Sequence, residues 1–146
     1  MNRESLVIEG YASLFGVEDL AGDIVRAGAF ARSLSRQNAV GMLLQHAGGR
    51  TAGRWTAIRE DGRGLFARGL VTAETPAGQA ALQLIRDGTM NGLSIGFIAR
   101  EWEPRRDRGR DLKEIELREI SLVSSPMLPS ARFQAAGELG LKAQAA

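Results

Sequence analysis

The chain contains no cysteine and only one histidine, His46, among its 146 residues. The absence of cysteine excludes a disulfide framework, a thiol nucleophile and any cysteine-based metal site. A single histidine excludes a multi-histidine metal centre, and no Asp-x-Asp-x-Asp-Gly calcium loop occurs. We therefore expect no metal and no other cofactor, and imidazole chemistry, if present, has to use His46.

Long apolar runs are also missing, and no stretch approaches the roughly 20 apolar residues that span a membrane. The N-terminus leads into an alternating segment and not into the apolar core of a signal peptide. These features predict a soluble, intracellular protein without a membrane partner. The length is that of one domain, and 44% hydrophobic residues suffice for a core.

Neither sign of charge dominates, because 19 basic side chains face 17 acidic ones and the net charge is +2. The densest basic stretch, residues 104–110, is either a patch for nucleic acid or an acidic peptide, or a solvated hairpin loop. The loop is favoured, since charge runs of this length usually lie in solvent. No aromatic residue interrupts these arginines to stack on bases, so no specific nucleic-acid partner is expected.

Alternating hydrophobicity predicts about seven strands that are grouped along the chain, with few helices between them. Thr75 and Pro76 are typical of a helix start and Gly88 of its end, and a shorter helix is expected at 26–35. The pattern favours a β-rich α+β fold, mainly an antiparallel seven-stranded barrel flanked by helices. We assign residues 1–132 to the domain and 133–146 to a weakly helical or mobile tail.

A single serine, Ser94, lies in a short apolar strand with Gly92 and Gly96 on the same face. Such a face either packs against another element or leaves room for a substrate backbone beside the hydroxyl. A serine hydroxyl becomes a good nucleophile when a base takes its proton, and His46, at the end of strand 40–46, is the natural base.

An imidazole base needs an acceptor on its other nitrogen. Glu119 lies on a mostly apolar face of strand 112–123, where a carboxylate requires a partner. His46 and Arg118 are possible partners, and Arg54 or Arg68 would give a purely structural ion pair.

Several segments occur together in one order: 10–16, 22–25, 28–30, 43–46, 64–66, 88–97 and 119–123 with Pro126. In this order they resemble the tailed-bacteriophage prohead (capsid maturation) proteases, over about residues 7–132. The resemblance implies the seven-stranded barrel of herpesvirus assemblin, with Ser94 as nucleophile and His46 as general base. It also implies that Glu119 takes the place of assemblin's second histidine and orients His46.

The resemblance further implies a serine endopeptidase that cleaves scaffolding segments or the N-terminal extension of the major capsid protein precursor. Cleavage would occur within the assembling procapsid, in the bacterial host cytoplasm, for a phage, a prophage or a gene transfer agent. A homodimer or higher oligomer is compatible with this role. Assemblin builds its oxyanion hole with an arginine pair, which residues 124–127 lack, so the oxyanion donors are not assigned.

Two other functions fit the same chain. One is a catalytically inactive module of the same fold that binds capsid or scaffold protein. The other is a small nucleic-acid-binding barrel, which predicts salt-dependent DNA binding through Arg105, Arg106, Arg108 and Arg110.

Overall fold

The computed structural model describes residues 4–136, which contain eight strands and two helices. In chain order these are β1 (Ser5–Leu14), β2 (Ile24–Val25), α1 (Ala31–Ser35), β3 (Gly41–Leu43), β4 (Thr51–Glu60), β5 (Gly64–Thr72), α2 (Pro76–Arg86), β6 (Gly92–Pro104), β7 (Arg110–Val123) and β8 (Phe133–Ala135). Neither helix in this part of the chain is long and apolar enough to cross a membrane.

The strands form one mixed sheet in the order β2-β7-β3-β4-β5-β1-β8, with β6 paired to β7 outside this path. β2 and β3 run parallel to β7, and the other pairings are antiparallel. The expected β-rich α+β class is confirmed, but the expected closed antiparallel barrel of seven strands is wrong. The two parallel partners, β2 and β3, have only two and three residues, too few to produce a readable alternation.

Helix α2 begins where the sequence predicts. Thr75 is its N-cap and accepts a hydrogen bond from the Gly78 amide at 2.9 Å, and Pro76 occupies the first turn. Gly78 lets the helix approach β5 closely, since a Cβ there would lie 1.8 Å from the Thr72 carbonyl oxygen. Helix α1 is shorter than predicted and covers only Ala31–Ser35.

The core fixes the hairpin formed by β6 and β7. Leu93, Ile120 and Leu122 are fully buried on one face of this hairpin. Burial of each such side chain contributes roughly 1.5–3 kcal/mol, so the strand register is strongly fixed. The opposite face of the hairpin is thereby held in place for the polar side chains described below.

The C-terminal segment assigned to 133–146 divides in two. Residues 133–135 form β8, which pairs antiparallel with β1 through Ile8, Glu9 and Gly10. Residues 137–146 lie outside the described residues.

Candidate active site

Paired positions on β6 and β7 place two of the predicted site residues, Ser94 and Glu119, on one hairpin. Ser94 lies directly opposite Ser121, and Gly96 lies directly opposite Glu119. Because opposed residues in an antiparallel pair point to the same side, Ser94, Ser121 and Glu119 share one face of the hairpin. Strand β3 reaches β7 at the same level, where Gly41 is the parallel partner of Glu119.

A β-bulge separates this face from the remainder of β7. The register moves from Gly96 opposite Glu119 to Phe97 opposite Leu117, which leaves Arg118 as the extra residue. A bulge interrupts the alternation of faces and re-aims the side chains beside it. Leu117 is therefore buried in the core while Glu119 takes part in the polar face, although an unbroken strand would place residues two positions apart on one face.

His46 lies in a tight turn immediately after β3. Gln45 and His46 have φ angles of 53° and 61°, in the left-handed region that histidine enters more readily than most residues. The Gln45 amide donates to the Leu122 carbonyl oxygen at 2.9 Å, and the Ala47 amide donates to the Leu44 carbonyl oxygen at 3.1 Å. The first bond attaches the histidine turn to β7, and the second closes the turn itself.

His46 and Glu119 form a direct contact, with Nδ1 2.8 Å from Oε1. An ionised carboxylate only accepts hydrogen bonds, so Nδ1 carries the hydrogen and Nε2 is left as the basic nitrogen. The Ser121 hydroxyl donates to the same Oε1 atom. Oε1 of Glu119 thus accepts hydrogen bonds from both His46 and Ser121.

Two of the three arginines weighed as partners for Glu119 make other contacts, and within the described residues Arg54 forms no salt bridge. Nη1 of Arg118 lies 3.0 Å from Oε2 of Glu116, and Nη1 of Arg68 lies 3.4 Å from Oε1 of Glu9. Within residues 4–136, no arginine forms a salt bridge with Glu119.

The two glycines beside Ser94 lie against other residues of the protein and do not leave open space for a substrate backbone. A Cβ at Gly96 would lie 2.4 Å from Cγ of Glu119, and a Cβ at Gly92 would lie 2.7 Å from Cδ of Pro126. Side chains of the protein itself occupy the space beside both glycines, so of the two interpretations of this face the structure supports packing against other residues. Gly96 is the position that allows the Glu119 side chain to lie across β6.

Ser94 lies beside this pair but is not bonded to it. Ser94 is 8% exposed, and within the described part of the chain its hydroxyl has no hydrogen-bond partner. The structure therefore joins His46 to Glu119 and places Ser94 on the adjacent strand without a bond to His46. Catalytic hydrogen bonds in unliganded sites are often long and tighten only when substrate binds.

An apolar cavity of about 60 Å³ adjoins Ser94. Leu93, Val17 and Leu128 line it, together with two aspartates, Asp19 and Asp23. The Asp23 carboxylate is neutralised by Arg110 at 2.7 Å, and Asp19 accepts hydrogen bonds from two backbone amides, Ala21 and Asp23. The cavity therefore favours an apolar group.

The basic stretch 104–110 is the hairpin loop that the sequence favoured, but its arginines are not all free in solvent. Arg105 pairs with Glu18, and Arg108 donates to the Leu20 carbonyl oxygen at 2.9 Å. With Arg110 they hold the segment that forms one wall of the cavity beside Ser94. These contacts join residues more than 80 positions apart, so no local pattern could have indicated them.

Two polar residues of this region were missed. Ser121 lies two positions after Glu119 on the same strand, so the alternation of a strand could have placed its hydroxyl beside the carboxylate. Gln45 donates from Nε2 to Oγ of Ser124 at 3.0 Å and so ties the histidine turn to the end of β7. Nothing in the sequence pattern indicates that second contact.

The same fold occurs in solved viral proteases. The capsid assembly protease gp21 of bacteriophage T4 matches with a TM-score of 0.64 and 16% identity, over 80% of each chain. The varicella-zoster virus protease matches with a TM-score of 0.59 and 15% identity, over 90% of this chain and 64% of that one. KSHV protease, solved with a hexapeptide phosphonate inhibitor, matches with a TM-score of 0.60 and 12% identity over 91% and 65%.

Sequence comparison then gives the family. The model of the caudovirus prohead serine protease family matches residues 1–142, and the chain belongs to that family. It is 36% identical over 124 residues to the prohead protease of Enterobacteria phage HK97. That match covers 82% of this chain and 55% of the HK97 protein, so the chain spans little more than half the length of that relative.

Proposed function

We propose that this protein is a serine endopeptidase in which Ser94 is the nucleophile, His46 the general base and Glu119 the acid that orients His46. The observation that carries the proposal is the 2.8 Å contact between Nδ1 of His46 and Oε1 of Glu119, next to Ser94 on the paired strand. Membership of the prohead serine protease family supports the same reaction.

In the proposed reaction Oγ of Ser94 attacks the carbonyl carbon of the scissile peptide bond while Nε2 of His46 takes the hydroxyl proton. Collapse of the tetrahedral intermediate breaks the C–N bond, and the same proton passes to the leaving amine. Water then attacks the acyl-enzyme with His46 again as base, which releases the acid and restores Ser94. Glu119 stabilises the imidazolium that forms in each half of the reaction.

The apolar cavity beside Ser94 is the proposed site for a substrate side chain. Its volume of about 60 Å³, its mostly apolar lining, the ion pair of Asp23 with Arg110 and the backbone hydrogen bonds to Asp19 favour a small apolar residue over a charged one. We expect a valine-type peptidyl phosphonate to react faster than a lysine-type one. Val17→Asp should reverse part of this preference, whereas Leu20→Asp, on an exposed neighbour that does not line the cavity, should leave it unchanged.

The proposed substrates are scaffolding segments or the N-terminal extension of the major capsid protein precursor, cleaved inside the procapsid in the host cytoplasm. Support comes from the HK97 relative, a prohead protease, and from the T4 protein with the same fold, a capsid assembly protease. A homodimer or higher oligomer within the procapsid is part of this proposal.

Replacement of the nucleophile tests the proposed activity. Ser94→Ala should abolish processing of a co-expressed capsid precursor, with a loss of about a thousandfold or more. Ser35→Ala, on the exposed side of α1, is the matched control and should process normally. Unchanged processing by Ser94→Ala would contradict the proposal.

One observation favours a second candidate, an inactive module that binds capsid or scaffold protein: Ser94 forms no hydrogen bond with His46 within residues 4–136. The two candidates differ in their reaction with a fluorophosphonate. An enzyme forms the Oγ–P bond, releases fluoride and passes the hydroxyl proton to His46, whereas an inactive module remains unlabelled even in assembled procapsids.

A further inference from the structure

The buried hydroxyl of Ser121 has no part in the reaction described above. Ser121 is 0% exposed, and its hydroxyl donates to Oε1 of Glu119, the same oxygen that lies 2.8 Å from Nδ1 of His46. A buried hydroxyl requires a partner, and this one is bonded to a carboxylate and not to a backbone group.

Glu119 needs such a contact more than a shorter acid would. Its side chain has three rotatable bonds and is 20% exposed, so alternative rotamers that point into solvent are available to it. Gly96 removes steric obstruction on one side, but it offers no side-chain group that attracts the carboxylate. Ser121 is the fixed donor, because its own position on β7 is set by pairing with Ser94.

We propose that Ser121 is a positioning residue whose hydroxyl fixes the Glu119 carboxylate, and through it the tautomer and orientation of His46. The role rests on the proposed function insofar as it concerns rate, but the tautomer of His46 can be observed without any activity. Since His46 is the sole histidine of the chain, a histidine-ring NMR spectrum reports on this one residue.

The first measurement is the ring ¹⁵N spectrum of the neutral histidine in four proteins. In the unsubstituted protein and in Ser33→Ala the Nδ1–H form should predominate, and in Ser121→Ala the Nε2–H form should increase. Ser33 is the matched control because it is also buried and its Oγ accepts from the Leu117 amide of the same strand at 2.9 Å. Ser121→Thr should retain the spectrum of the unsubstituted protein.

The second measurement is the rate of fluorophosphonate labelling at Ser94. Ser121→Ala should lower it about tenfold, as expected for a group that holds a catalytic side chain through one hydrogen bond. Ser121→Thr and Ser121→Val add the same bulk but only threonine keeps the hydroxyl, so threonine should label faster than valine. This pair keeps the test valid if added volume lowers stability.

The outcomes separate this proposal from the proposed function. Equal spectra for Ser121→Ala and Ser33→Ala, or equal labelling of the threonine and valine variants, would overturn the role of Ser121. If the spectra change as expected but Ser94→Ala still processes the capsid precursor, the role of Ser121 in holding Glu119 stands and the proposed activity fails.

Discussion

Two carboxylates on β7, Glu116 and Glu119, lie three positions apart and have opposite surroundings. Glu116 contacts two guanidinium groups, those of Arg100 and Arg118. Glu119 contacts an imidazole and a hydroxyl, those of His46 and Ser121, and within the described residues no arginine pairs with it. Glu116 is paired with side chains that are always cationic. Glu119 is paired with an imidazole, which is cationic only when it is protonated.

The bulge at Arg118 produces this difference. It places the Arg118 side chain with Glu116 and leaves Glu119 on the face shared with Ser94. A guanidinium at Glu119 would compete with the imidazolium that forms during catalysis, so the absence of a paired arginine is what the proposed chemistry needs. Two carboxylates on one strand thus have different partners because the strand register decides which side chains each of them meets.

The largest effect should come from Glu119→Gln, which keeps the size of the side chain but removes its charge. We expect fluorophosphonate labelling and precursor processing to fall by about a thousandfold, because the amide no longer fixes the tautomer of His46. Glu116→Gln, on the same strand, should remain within about twofold of the unsubstituted protein. Similar losses for both variants would remove the distinction between the two carboxylates.

A smaller effect is expected from Gly96→Ala. The added Cβ would lie 2.4 Å from Cγ of Glu119 and must displace it from His46, so labelling should fall about tenfold. Gly41→Ala is the control, because its Cβ would lie 3.6 Å from the nearest atom, in ordinary contact, although Gly41 also pairs with Glu119. If Gly96→Ala labels normally, Glu119 does not need its present position.

The smallest effect concerns stability in acid. Hydrogen bonds from Arg100 hold the pKa of Glu116 below its ordinary value of 4.5. A lowered pKa in the folded state means that this carboxylate contributes stability above about pH 4.5, and that the contribution is lost as the pH falls through the folded-state pKa. Melting temperatures between pH 6 and pH 3 should therefore fall less in Glu116→Gln than in the unsubstituted protein. If the melting temperatures of the two proteins fall equally with pH, the lowered pKa of Glu116 is contradicted.

Part of this site could be predicted from sequence because its chemistry is restrictive. A chain with one histidine leaves no choice of imidazole, and a carboxylate on an apolar strand requires a partner. The predicted contact between His46 and Glu119 is present at 2.8 Å. The start of helix α2 could also be predicted from the sequence, because Thr75 and Pro76 act through local hydrogen bonding and backbone geometry.

The remainder depends on distant contacts that periodicity does not encode. Alternation indicates which residues share a face, but not which strands pair, so the parallel partners of β7 were missed and a closed barrel was expected. Glycines in a strand indicate that another group lies close to the backbone, but they do not identify that group. At Gly96 the group is the side chain of Glu119. The bulge at Arg118 likewise follows from pairing and not from local sequence.

The most direct test of the central claim is fluorophosphonate labelling of the chain, free and in assembled procapsids, with mass spectrometric mapping of the adduct. We expect one adduct, on Ser94. An adduct on a different serine, or no adduct in either state, would contradict the claim.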